Sequence, residues 1–290
     1  MAKQTKDTNW QKQSQTQNLI LEHHMAARRL GFENFFIPLY ESKGLINRDA
    51  LLDGSLSEIR VLTSQVIPLI YEIKNNDESR DFKTMEILKS NGGLLEPNIY
   101  LNDYDERRQI SIETIEVLEN ILKEEKVIGR DIIKCIESKN LFQFPDTFKT
   151  ISEEDFNGSR KECENSKKEI SKYDIWYEAL SAPYEEILIY NDYINEKTAF
   201  DTHQGVKGEE FSRVMAIMDN KEERGWTFNF EKELLEGRTS HTNNLFYVIC
   251  SRAIDSLALV MYTDKRNEIK DVLIENQWFF ENEIIITDSI

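Results

Sequence analysis

Cysteine is scarce in this chain, and its distribution argues against two kinds of site. The 290 residues include three cysteines, Cys135, Cys163 and Cys250, which are far apart in the sequence. None belongs to a CxxC pair or to a Cys/His set with the spacing of zinc ligands. We therefore expect no disulfide framework and no metal site, and the thiols fit a reducing cytoplasm.

Long hydrophobic runs are also absent. No stretch approaches the roughly 18 consecutive apolar residues that cross a bilayer. The N-terminus, MAKQTKDTNWQKQSQTQN, is polar and lacks the hydrophobic core of a signal peptide. These absences predict a cytoplasmic protein with no membrane partner.

Basic residues are fewer than acidic residues in this chain. The chain has 36 Lys and Arg against 53 Asp and Glu, a formal net charge of -17. Most affinity for nucleic acids comes from neutralising phosphates, so this balance argues against general nucleic-acid binding. A local positive groove remains compatible with an acidic chain.

The sequences that hold a nucleoside triphosphate are missing. No GxxxxGK[ST] occurs, and no hydrophobic strand ends in Asp-Glu. The first sequence cradles phosphates and the second holds Mg²⁺ in ATP-hydrolysing proteins. A triphosphate and its metal therefore have no cradle of their own in this chain.

What is present indicates a folded α/β protein. With 40% hydrophobic and 10% aromatic residues, the 290 residues can bury the core of one or two domains. Two apolar runs of strand length, Val214–Met218 and Leu257–Tyr262, predict buried strands of a parallel sheet. Between residues 45 and 183 the apolar residues recur at helical spacing instead.

Each of these two strands follows a segment with chemically useful residues. Lys207, Gly208 and Glu210 precede the first, and a predicted helix, Leu245–Ala253, carries Arg252 before the second. Glycine lets the backbone approach a ligand, Lys and Arg balance phosphate charge, and Glu can accept from a ribose hydroxyl. Taken singly, Lys207-Gly208 fits an ordinary turn and Arg252 fits a helix cap. Together they predict a site for a phosphate-bearing ligand.

The same two segments resemble motifs of UvrD-like superfamily 1 helicases. THQGVKGEEFSRVMAIMDN resembles motif V, whose common form is a Thr/His segment, K-G-x-E-F and a hydrophobic strand. NLFYVICSRAIDSLALVMYT resembles motif VI, of the form L-[FY]-V-A-x-[ST]-R-A-x-x-x-L. The chain departs from the common pattern in three ways: one additional residue between His203 and Lys207, Ser251 where Thr is frequent, and Ile254-Asp255-Ser256 in place of basic residues.

The resemblance implies roles at the nucleotide. Arg252 would be the catalytic arginine, reaching the γ-phosphate of ATP from across an interdomain cleft. Glu210 would contact the nucleotide sugar, and Gly208 would belong to the same nucleotide-binding loop.

The resemblance also implies contacts with single-stranded DNA. Thr202 and His203 would lie on its track, and Lys207 would lie in the loop that joins the two sites. Arg28 and Arg29, on a predicted helix after an early strand, would reach the DNA backbone. The alternative for these two arginines is plain surface charge.

The implied fold is a RecA-like (P-loop NTPase-type) α/β sheet domain with a large, mostly helical insertion. After a polar segment, 1–17, the second motor domain of the family (2A-type) would comprise 18–44 and 184–290. The helical insertion (2B-type) would be 45–183, with Pro68 kinking or dividing one of its helices.

We therefore expect the C-terminal motor half of an ATP-dependent DNA helicase or translocase, whether truncated, naturally split or decayed. ATP and Mg²⁺ would be bound mainly by a missing or separate N-terminal motor domain. Its partners would be single-stranded DNA and that helicase half or a partner protein. The alternative is a non-catalytic protein-interaction module derived from such a helicase. A role in bacterial phage defence is a further hypothesis, because helicases of this family occur in such systems.

Overall fold

The computed structural model describes residues 1–12, 15–20, 22–75, 78–95, 101–153, 156, 170–198, 200–202, 205–206, 208–219, 230–237 and 247–287. Contacts divide the chain into two compact units. One is an α/β unit, Met1–Arg29 with Glu196–Ile290, and the other is a helical unit, Leu30–Asn195. Among the described residues, no helix combines the length and the apolar character needed to span a bilayer.

A parallel sheet of four strands forms the centre of the α/β unit. The strands are β1 (Thr16–Ile20), β2 (Phe200–Thr202), β3 (Phe211–Asp219) and β4 (Ala253–Tyr262). The helices of this unit are α1 (Ala2–Thr5), α2 (His23–Leu30), α13 (Phe230–Glu236) and α14 (Arg266–Glu275). The strand order is β2-β1-β3-β4. The prediction of an α/β chain with a parallel sheet is confirmed, and the architecture is compatible with a RecA-like domain.

One face of the sheet carries the apolar core of the α/β unit. Helices α13 and α14 contribute to it, as does a single helical turn at 247–250. Alternate residues of β3 belong to this core, because side chains along a strand point to opposite faces. The buried core side chains are Leu19, Val206, Val214, Ala216, Met218, Phe230, Leu234, Ile249, Ile269 and Leu273.

The opposite face of the sheet meets α2. Asp219 and Tyr262 end β3 and β4 and alternate with the core residues, so they point to this second face. Arg29 contacts both of these residues. Its Nη2 lies 3.8 Å from Asp219 Oδ2, and the central carbon of its guanidinium lies 5.2 Å from the centre of the Tyr262 ring. Cover on both faces suits parallel strands, which are apolar on both sides.

The described helices of the helical unit range from 5 to 21 residues in length. They are α3 (Glu33–Tyr40), α4 (Arg48–Leu52), α5 (Ser57–Val61), α6 (Ile67–Lys74), α7 (Arg80–Ser90), α8 (Leu101–Ile121), α9 (Gly129–Ser138), α10 (Asp146–Ser152), α11 (Lys172–Ala179) and α12 (Tyr184–Ile194). A π-helical segment, Leu62–Val66, separates α5 from α6, and Pro68 lies in the first turn of α6. The backbone stays right-handed helical on both sides of this segment, so the predicted kink or division takes the form of a π-helical bulge just before Pro68 rather than a break.

An aromatic cluster joins the two ends of the helical unit. Phe32, Phe35 and Phe36 pack against Tyr190 and Tyr193, with ring centres 5.2 to 6.0 Å apart. Such contacts add to the burial of large apolar surfaces. They place α3 and α12 with the other helices, in a unit that runs from Leu30 to Asn195, whereas the predicted boundaries of the helical insertion are 45 and 183.

Candidate functional site

The two predicted motifs meet at one edge of the sheet, where β3 and β4 begin. The first residues of these strands are paired, and the Phe211 amide donates to the Arg252 carbonyl oxygen at 2.7 Å. Glu210 and Arg252, which immediately precede the two strands, therefore lie at the same amino edge. The prediction that Val214–Met218 and Leu257–Val260 belong to one sheet is confirmed.

The Arg252 guanidinium is held by three neutral acceptors. Its Nη1 donates to the Glu209 carbonyl oxygen at 2.8 Å, its Nε to the Val248 carbonyl oxygen at 3.2 Å, and its Nη2 to Ser251 Oγ at 3.0 Å. In the part of the chain that the structure describes, no carboxylate pairs with Arg252. A guanidinium has five N–H donors, so about two of them remain for another acceptor.

A helical turn at 247–250 delivers Arg252 to this edge. Carbonyl groups of the turn accept from the amides of Ser251 and Arg252 at 3.0 and 3.1 Å. Ile249 is buried in the core and anchors the turn to the sheet. The predicted helix, Leu245–Ala253, starts outside the described residues, and at Ala253 the chain is already strand.

Gly208 sets the approach to β3. Its φ of +100° lies in the left-handed region that favours glycine. A Cβ at this position would meet no atom within 4 Å, so the backbone conformation and not crowding requires glycine. Glu210 follows with an exposed side chain that makes no hydrogen bond or ion pair among the described residues. The contact of Gly208 and Glu210 with a nucleotide stays a prediction.

A compact turn after β2 depends on Gly205. Thr202 Oγ1 accepts from the Gly205 amide at 3.1 Å, and Asp201 Oδ1 accepts from the Thr202 amide at 2.6 Å. A Cβ on Gly205 would overlap the Asp201 carboxylate. Burial raises the pKa of the Asp201 carboxyl. The hydrogen bond from Thr202 opposes that rise, and the carboxylates of Glu196 and Glu209 add to it.

Three of the residues predicted to contact DNA, Thr202, Arg28 and Arg29, are described by the structure. They lie at or near the opposite, carboxyl edge of the sheet. Thr202 ends β2 level with the last residue of β1, and α2, which carries Arg28 and Arg29, starts just beyond β1. Thr202 is buried, and Arg29 makes the contacts given above. His203 and Lys207 lie outside the described residues. Contact of these five residues with DNA stays a prediction.

Comparison with known proteins bears on the family to which the chain is related. No protein-family model matches the chain. The chain is similar to a Gabija protein. The relative is Gabija protein GajB of Bacillus cereus (strain HuB5-5), with 34% identity over 121 residues. The alignment covers 37% of this chain and 16% of that protein, so the chain spans only a small part of the relative's length.

The N-terminal segment contributes to the amino edge through contacts that the sequence does not predict. Arg213 of β3 places its Nε and Nη2 each 2.6 Å from Asp7 Oδ2, and Thr16 Oγ1 donates to the Asn9 carbonyl oxygen at 3.2 Å. The amide of Asn9, together with Arg213, lowers the pKa of Asp7. The only sequence signal for this pairing was an arginine near the start of an apolar strand.

Among the described residues, no group of three or more His, Cys, Asp or Glu side chains is arranged to hold a metal ion. The candidate site is the edge at which the Arg252 guanidinium, which pairs with no carboxylate of the described residues, lies near the exposed side chains of Glu209 and Glu210. Such an edge can bind an oxyanion and accept from a hydroxyl group.

Proposed function

We propose that this chain is a helicase-related module that completes an ATP-hydrolysing site together with a separate nucleotide-binding domain. The observation that carries the proposal is the position of Arg252 beside Glu210 at the amino edge of β3 and β4. Similarity to a Gabija protein and resemblance to motifs V and VI support a helicase-related role linked to phage defence. In this proposal the α/β unit is the second RecA-like motor domain, and the helical unit is its insertion.

Arg252 stabilises the negative charge that develops on the transferred phosphoryl group. A guanidinium with spare donors on its terminal nitrogens matches the oxygens of a phosphate. Arginines placed in this way raise turnover by about 10³ to 10⁵. ATP with Mg²⁺ supplies the phosphoanhydride bond that is cleaved, and we assign the phosphate cradle and the metal ligands to the separate domain. Glu210 accepts a hydrogen bond from the nucleotide sugar, and Gly208 shapes the loop around it.

Single-stranded DNA is assigned to the α/β unit. This unit carries 16 Lys and Arg against 20 Asp and Glu, whereas the helical unit carries 20 against 33. A polyanion is repelled less by the first unit than by the second. Its contacts are assigned to the loop after β2 and to α2, through Thr202, His203, Lys207, Arg28 and Arg29.

A second candidate function is a protein-interaction module. The observation that favours it is the acidity of the helical unit, which suits a basic protein surface better than DNA. In this alternative the partner protein binds the helices and Arg252 has no role in turnover.

Reconstitution separates the two functions. The chain would be mixed with a purified nucleotide-binding domain that carries GxxxxGK[ST], and phosphate release would be measured. We expect no hydrolysis by the chain alone and Mg²⁺-dependent hydrolysis by the mixture. Arg252→Ala should lower that turnover by about 10³, by analogy with other arginine fingers.

The matched control is Arg266→Ala, in the first turn of α14 beyond the far end of β4. This variant should keep wild-type turnover. Equal turnover of the wild type and Arg252→Ala would contradict the proposed function and favour the interaction module.

A further inference from the structure

Ser251 stands between the helical turn and the guanidinium of Arg252. Its hydroxyl donates to the Val248 carbonyl oxygen at 3.2 Å and accepts from Arg252 Nη2 at 3.0 Å. A hydroxyl can donate and accept at once, which an alanine cannot do and a cysteine does only weakly. The carbonyl of Val248 also accepts from Arg252 Nε, so these three residues form one closed network.

The network fixes which donors of Arg252 stay free. Nε is taken by Val248, one donor of Nη1 by Glu209 and one donor of Nη2 by Ser251. One donor remains on each terminal nitrogen. All three acceptors are neutral, so they orient the guanidinium without neutralising its charge. A carboxylate in their place would compete with an incoming oxyanion.

We propose that Ser251 is a positioning residue for Arg252. Its hydroxyl holds Nη2 so that the remaining donors form a fork for the terminal oxygens of a polyphosphate. The proposal rests on the proposed function and adds a residue to it. An arginine side chain has several rotatable bonds and loses considerable freedom when it is fixed, so a contact that fixes it in advance strengthens anion binding.

Threonine can replace Ser251 in this role, because it keeps the hydroxyl. Alanine removes the hydroxyl but keeps the backbone hydrogen bond from the Ser251 amide to the Tyr247 carbonyl oxygen at 3.0 Å. The turn at 247–250 is therefore expected to fold in both variants. Ser256→Ala is the matched control, because Ser256 is a partly buried serine of β4 outside this network.

The test uses nuclear magnetic resonance of the full chain, with the Arg252 Nε–H resonance assigned by its loss in Arg252→Lys. The first readout is protection of this proton from exchange, which needs no ligand. Ser251→Ala should lower the protection, and Ser251→Thr and Ser256→Ala should retain it. The second readout is titration with tripolyphosphate. Ser251→Ala should weaken the affinity by about tenfold or more, the effect of losing one hydrogen bond to a charged group.

Unchanged protection and unchanged affinity in Ser251→Ala would overturn the positioning role. If Ser251→Ala fails to fold, Ser251→Cys takes its place, and its protection should again fall below that of the threonine variant. The two proposals fail differently. A wild-type Arg252 Nε–H resonance that does not shift when tripolyphosphate is added would count against the proposed function. The protection of this proton from exchange would still decide the role of Ser251.

Discussion

Replacing Gly205 by alanine tests whether the turn between the two edges is as tight as the structure indicates. The added Cβ would lie closer to Asp201 Oδ1 than the 3.0 Å that Cβ contacts almost never fall below, and 3.3 Å from Thr202 Oγ1. Both oxygens already accept backbone hydrogen bonds within this turn. The alanine must therefore displace one of them.

The expected cost is that of overpacking, about 2 kcal/mol. In hydrogen exchange, about 2 kcal/mol corresponds to roughly 30-fold faster exchange. The amides to follow are those of Val206 and Glu209, which donate to the carbonyl oxygens of Thr202 and Val206 at 3.3 and 3.1 Å. Amides of the helical unit serve as the internal control.

A double-mutant cycle identifies the atom responsible. Asp201→Ala removes the carboxylate that the new Cβ would meet, so Gly205→Ala should cost little in that background. Gly205→Ala that leaves the exchange of both amides unchanged would refute the reasoning. A cost that is the same with and without the Asp201 carboxylate would refute it equally.

Three further predictions concern stability and binding. Glu186 is buried, and its carboxylate accepts from Asn34 Nδ2 at 2.7 Å and from the Phe35 amide at 3.1 Å. In urea unfolding, Glu186→Ala should lower the stability of the helical unit by about 3 kcal/mol. The control variant Glu185→Ala, at an exposed neighbouring position, should not lower it. The raised pKa of Asp201 means that its protonated form favours folding, and that this stability is lost as pH rises through the folded-state pKa. Asp201→Asn should therefore slow amide hydrogen exchange in the turn after β2 at pH 7 but not at about pH 3. An equal effect at both pH values would contradict the raised pKa of Asp201. In fluorescence anisotropy, the isolated chain should bind a single-stranded oligonucleotide weakly and lose that binding between about 50 and 200 mM salt. Tight binding that persists in high salt would contradict this prediction.

The apolar parts of β3 and β4 were predictable from the sequence, but the short strand β2 and the start of β4 were not. The apolar run Leu257–Tyr262 marked the buried part of the strand. The strand begins at Ala253, and the register shifts between this end and Ser256. A bulge of this kind leaves exposed residues such as Ile254 in a strand, and no alternation of apolar residues reveals it.

The amino edge was predicted only in part. The motif resemblance brought Glu210 and Arg252 to one edge, because each immediately precedes a strand of the same parallel sheet. The acceptors that hold Arg252 were not predicted, because two of them are backbone carbonyl oxygens, of Glu209 and Val248. A carbonyl group is common to every residue and leaves no trace in a sequence.

Long-range pairings set the other limit. Asp7 and Arg213 are 206 residues apart, and Asn34 and Glu186 are 152 residues apart. A single sequence shows charge and polarity at each position but not which distant positions meet. The sequence therefore identifies residues 1–17 only as a polar segment, and it does not assign the aromatic residues of α3 to the helical unit.

The central claim is that Arg252 stabilises a phosphoryl group held by a separate domain. Its most direct test is association of the chain with that domain in the presence of Mg²⁺, ADP and aluminium fluoride, which together imitate the transferred group. Analytical ultracentrifugation should show a stable complex with wild-type chain and with Arg266→Ala, and loss of that complex with Arg252→Ala. With ADP alone, association should be weak for all three chains. A complex of equal strength with Arg252→Ala, or one that forms equally well without aluminium fluoride, would contradict the account.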